Sequence, residues 1–204
     1  MKTKIERLFF TFLLAPPMPL TLFMGFWWLS YTFLPEKWIP YGVLPGLLLG
    51  ILIDIVFLKK LVERVYELST VFWLAVLLFY SVGIFGFFMG VPVFNTALAI
   101  PAGFVIGGKL AHEMVNGVQL RRTTVRTCIL TTMLMALVCA TSAFFALMSP
   151  STPSDLRGML GLNFEVTQAM IWGLILVGGL GLLAVNWLLT ALSIHFSHRF
   201  LSTP

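Results

Sequence analysis

Apolar residues run along this chain in long blocks, and polar residues are confined to short breaks between them. Six blocks reach the ~20 residues a helix needs to cross a hydrocarbon layer: Leu8–Leu34, Ile39–Leu58, Leu68–Met89, Val93–Ala111, Cys128–Met148 and Ala169–Ile194. The pattern predicts an all-α polytopic membrane protein, a bundle of six transmembrane helices, with 1–204 forming a single transmembrane domain. No segment between the blocks is long enough for a separate soluble domain, and no internal repeat is visible.

The breaks set the orientation. With the N-terminus inside, eleven of the thirteen Lys and Arg residues fall on the inner side and only Lys37 and Arg157 on the outer. This bias predicts that both termini are cytoplasmic. Trp27, Trp28, Tyr31, Trp38, Tyr41 and Trp172 cluster at the expected outer boundary, as an aromatic belt or as a rim that captures a ligand. An inner loop from His112 to Thr127 is basic and polar. The outer loop from Ser149 to Gln168 contains Thr152-Pro-Ser-Asp155, which reads as a short helix start with Pro in the first helical position. Asn163 is expected to cap the last helix. Met1–Arg7 followed by Leu8–Ala15 resembles the start of a signal peptide, but no small-x-small cleavage site follows, so the segment is expected to be retained.

Composition narrows the class further. The chain is 59% hydrophobic and 10% charged, against about 25% charged residues in a soluble domain. The net charge of +5 comes from clusters between apolar blocks, a topology pattern that gives no reason to expect a nucleic-acid partner. The expected surroundings are the lipid bilayer, at the plasma (inner) membrane of a prokaryote. Cys128 and Cys139 are too far apart along one helix to bridge, and read as small packing residues.

Helix faces carry the remaining signals. Gly42, Gly46, Gly50 and Asp54 recur every four residues on the second block, and Ala99, Gly103, Gly107 and Ala111 on the fourth. The third ends in Gly83, Gly86 and Gly90. Small residues at this interval let helix backbones approach closely, within the chain or with a membrane protein partner or second copy. Asp54 extends the glycine face, and a carboxylate at such depth needs a partner or a purpose. Two readings stand: a structural pair with Lys109, or an ion- or proton-linked role. Asn186, Thr190, Ser193 and Ser197 line one face of the last block, either as interhelical hydrogen bonders or, for Asn186 and Thr190, as ligand-site candidates. His112, His195 and His198 gather near the cytoplasmic boundary with Glu113, a weak candidate set for a metal or haem. Pro16, Pro17 and Pro19 break the first block. Either that helix is discontinuous, or residues 1–15 form an interfacial helix and Pro16 or Pro17 starts the span.

Familiar enzyme motifs are missing. His112-Glu-Met-Val-Asn116 has Asn where a zinc-protease helix needs its second His, and no nucleophile elbow or phosphate loop occurs. Size and topology are similar to the substrate-binding components of vitamin importers, whose Ala-x-x-x-Ala signature on helix one is absent here. The expected function is a transport-type or substrate-binding membrane subunit with a site between helices. The alternative is a non-catalytic subunit of a larger membrane complex.

Overall fold

The computed structural model describes residues 3–115 and 117–202, all of whose regular structure is helical. Lys2, counted above among the inner charges, and Asn116 lie outside the described residues. The helices are α1 (Lys4–Leu14), α2 (Pro17–Phe33), α3 (Ile39–Glu63), α4 (Thr70–Phe87), α5 (Ala99–His112), α6 (Gly117–Met148), α7 (Thr152–Leu160), α8 (Gln168–Gly173) and α9 (Gly179–Ser202). Six stretches are long and apolar enough to cross a membrane: α1 with α2, α3, α4, α5 with the 3-10 turn Pro92–Leu98 before it, α6, and α8 through α9. The six apolar blocks therefore each correspond to one helical span. Contacts divide the chain into two compact units, Met1–Tyr80 and Ser81–Pro204.

In the first unit, α2 and α3 are antiparallel and meet along the glycine face. A Cβ placed on Gly46 would lie 2.7 Å from both the Leu22 carbonyl oxygen and Cβ of Phe26. One on Gly42 would overlap Ser30 and Leu34, and one on Gly50 would strike the backbone of Pro19. Only hydrogen fits at these three positions, so the backbones touch along just over two turns of α3.

Pro16, Pro17 and Pro19 interrupt hydrogen bonding without turning the chain. Ala15 and Pro16 both keep right-handed helical dihedrals, and the Leu20 amide resumes bonding to the Pro16 carbonyl at 3.1 Å. Pro17 has no N–H to offer Leu13, whose carbonyl would otherwise be orphaned. The Tyr80 hydroxyl donates to that oxygen at 2.8 Å instead. α2 starts at Pro17, where fixed φ suits the first helical turn.

In the second unit, α5 and α9 run parallel: Gly103 meets Thr190 and Ser193, and Gly107 meets Ile194 and Ser197 one turn on. α6 lies antiparallel to α9, with Thr131 against Thr190 and Thr132 against Asn186. This alternation is what successive membrane crossings require. The last helix contains five residues of π-helix, Leu174–Gly178, between α8 and α9.

Several boundaries differ from expectation. The basic loop is shorter, because α6 already starts at Gly117 and carries Arg121, Arg122 and Arg126 on helix. Arg, Gln and Thr end apolarity there but not helicity. Thr167, not Asn163, caps α8, its hydroxyl accepting from the Met170 amide at 3.4 Å. α7 forms from Thr152, one residue earlier than its Pro-marked start, and ends at Gly161 in the left-handed conformation. Gly83 and Gly86 meet nothing within 4 Å among the described residues of the second unit, so these two glycines are not a packed face within it.

Overpacking at the α2–α3 contact is expected to be costly. Gly50→Leu should destabilise by roughly 1–3 kcal/mol, whereas Leu48→Ile, at an exposed position of the same helix, should change the unfolding midpoint in detergent little. Equal midpoints for the two variants would contradict this packing.

Candidate functional site

The polar face of α9 is a seam between helices. Thr190 is fully buried, shares a hydrogen bond of 3.0 Å with Thr131, and donates to the Asn186 carbonyl at 2.9 Å. Ser193 donates to the Ile100 carbonyl of α5 at 2.7 Å, and Asn186 reaches the Thr132 hydroxyl at 3.5 Å. The Cys128 thiol lies 3.7 Å from the Trp187 carbonyl. Two candidates for ligand contact, Asn186 and Thr190, are therefore turned toward neighbouring helices.

Asp54 and Lys109 fall in different units. Asp54 is half-buried and has no hydrogen-bond or ion-pair partner among the described residues of its own unit. Lys109 reaches Glu113 one turn on in α5, 3.9 Å away and at an exposed position. His195 is exposed, its Nδ1 2.9 Å from the Ala191 carbonyl. Among the described residues no three His, Cys, Asp or Glu side chains converge on a metal-sized position, so His112, His195 and His198 are not brought together as ligands.

The second unit instead holds a cavity of about 870 Å³ where α4 and α6 end and α8 begins. Phe85, Val91, Ala143, Ile171, Ile175 and Leu182 contribute to a mostly apolar wall. Three structural details meet there. The π-helix lines one side through Leu174, Ile175 and Gly178, and such turns are frequent at functional sites. α7 supplies Thr152, Asp155 and Leu156. Asp155 accepts from the Ser151 hydroxyl at 2.7 Å, and Ser151 is in turn 2.9 Å from Ser149. An apolar chamber with a polar margin suits a ligand that is hydrophobic over most of its length.

A second polar centre lies in the first unit. Glu6 is fully buried and accepts from the Tyr66 hydroxyl at 2.7 Å and from the Thr3 amide at 2.6 Å. Thr3 closes a capping box by accepting from the Glu6 amide. Phe10, one turn on, packs edge-to-face on Tyr66 with ring centres 5.4 Å apart. The signal was present in the sequence: Thr3-Lys-Ile-Glu6 has capping-box spacing, and Glu6, Phe10 and Leu14 share one face. Burial first, then the hydrogen bond to Glu6 and its negative charge, push the Tyr66 phenol well above its usual range.

No protein-family model, curated protein or solved structure matches the chain.

An isolated phenol ionises near about 10, and the folded value of Tyr66 lies higher. Its contribution is fully present below the unfolded value and is lost as pH rises through the folded one. Thermal unfolding in detergent should therefore lose less stability at alkaline pH in Tyr66→Phe than in the wild type. At pH 7 the loss of the buried bond should cost about 1–3 kcal/mol. Parallel pH profiles for the two proteins would refute the Glu6–Tyr66 linkage.

Proposed function

We propose that this protein is a small integral membrane subunit of transport type that holds a hydrophobic or amphipathic ligand between its helices. The observation that carries the proposal is the cavity of the second unit. At about 870 Å³ it falls within the ~300–1,000 Å³ typical of small-molecule sites. Its wall offers no metal cluster among the described residues, so recognition rests on shape and burial, with Ser142, Ser149, Thr152 and Asp155 as polar groups of the lining. Asp54 remains the candidate for ion coupling, motivated by its depth on α3 and its lack of a partner within its unit.

The same reading places both termini in the cytoplasm of a prokaryotic cell, with α7 on the outer face of the inner membrane. The distribution of Lys and Arg supports this. A second reading, a non-catalytic subunit of a larger complex, is favoured by one specific feature. Gly83, Gly173 and Gly181 are exposed with nothing within 4 Å, and bare glycine positions accommodate a close neighbouring helix.

Protein released in native lipid particles should yield a bound hydrophobic molecule by mass spectrometry. Ala143→Trp, which fills the cavity, should lower its retention about tenfold or more while elution as a folded species is preserved. Equal retention in wild type and variant would place the molecule elsewhere, and an empty wild type would overturn ligand binding. For orientation, a cysteine at Ser154 in a background lacking Cys128 and Cys139 should react with an impermeant thiol reagent on intact cells. One at Arg64 should not, and the reverse pattern would invert the topology.

A further inference from the structure

α6 is longer than a membrane crossing needs. Its 32 residues extend ~48 Å at ~1.5 Å per residue, against a hydrocarbon thickness of about 30 Å. Counted back from its apolar end at Met148, a crossing is complete near Cys128. The first three turns, Gly117–Thr127, then stand at and beyond the headgroups. They carry Arg121, Arg122 and Arg126, and α6 contains no acidic residue.

The arginines sit on a particular face. Taking 100° per residue, Arg122 and Arg126 share a stripe with Val118, Val125, Ile129, Met133 and Leu137, and Arg121 flanks it. All five apolar residues of that stripe are exposed, Val118 by 80% and Ile129 by 46%. The opposite face, with Thr124, Cys128, Thr131 and Met135, is buried in the second unit. One continuous outward surface therefore passes from apolar to cationic where the crossing ends.

None of the three guanidinium groups has a hydrogen-bond or ion-pair partner among the described residues of the second unit. The nearest acid in sequence, Glu113, is engaged by Lys109. Three unneutralised guanidinium groups above an apolar stripe form a surface for a phosphodiester whose chains lie along the same helix. We infer that α6 carries a site for an anionic phospholipid, with Arg122 and Arg126 on the phosphate, Arg121 beside them, and Ile129, Met133 and Leu137 against an acyl chain. A soluble acidic partner would not need that apolar continuation. This site is independent of the cavity proposed above.

Purified protein in dodecylmaltoside tests the assignment by native mass spectrometry with phosphatidylglycerol and phosphatidylcholine of identical chains. Phosphatidylglycerol should be retained several-fold more. Each arginine changed to Gln should remove part of that several-fold preference, until Arg121→Gln with Arg122→Gln and Arg126→Gln retains both lipids equally. Arg122→Lys with Arg126→Lys, which keeps the charge if the Gln variants fail to fold, should retain an intermediate preference that declines with added salt. Equal retention of the two lipids by the wild type, an unchanged preference in the Gln variants, or a preference insensitive to salt would overturn the site. Displacement of phosphatidylglycerol by millimolar inorganic phosphate would assign it to a free anion and overturn the lipid.

Discussion

Every backbone polar group in a lipid-embedded chain has to find its partner within the protein, because hydrocarbon offers none. The first unit meets this constraint at its most vulnerable point. Three prolines within four residues remove donors from the first span, and of the carbonyls left over that of Leu13 is taken by the Tyr80 hydroxyl from α4. The helix keeps its course through Ala15 and Pro16. A hydroxyl also links segments elsewhere: Ser193 ties α9 to the backbone of α5.

Close approach is the second half of the same design. Lipid provides little hydrophobic drive for helices to associate, so contact area and interhelical hydrogen bonds must supply it. Gly42, Gly46 and Gly50 bring α3 onto α2, and Gly103 and Gly107 bring α5 onto α9, where Ser193 and Ser197 fill the space a side chain would occupy. With those faces committed to packing, the unfilled volume of the second unit lies toward the other end. There α8 passes through a π-helical turn and α7 adds polar groups to the margin.

Spans and packing faces were legible in the sequence because each depends on local composition: a run of apolar residues, or glycine every fourth position. The cavity was not, because it is formed by residues from 85 to 182 that no spacing relates. The π-helical turn was equally hidden, since Leu174–Gly178 has no composition that separates it from α-helix. Asp54 stands out in the sequence because its charge continues a glycine face deep in a span, whereas the fully buried Glu6 sits among several charges of the N-terminal segment, which mask it. Thr190 and Asn186 allowed two readings, interhelical hydrogen bonding or a ligand site. Their polarity within an apolar helix marked them as candidates for a ligand, and helix–helix hydrogen bonds account for it.

The central claim is that the open chamber of the second unit is ligand space and the α5–α6–α9 seam is packing. The two native cysteines distinguish these regions directly. Cys139 lines the chamber, and Cys128 is buried in the seam against Trp187. Folded wild-type protein treated with a small membrane-permeant maleimide and mapped by peptide mass spectrometry should be modified at Cys139 well before Cys128. A hydrophobic ligand loaded beforehand should protect Cys139. Modification of Cys128 at the same rate, or a Cys139 rate indifferent to every hydrophobic ligand offered, would contradict the account.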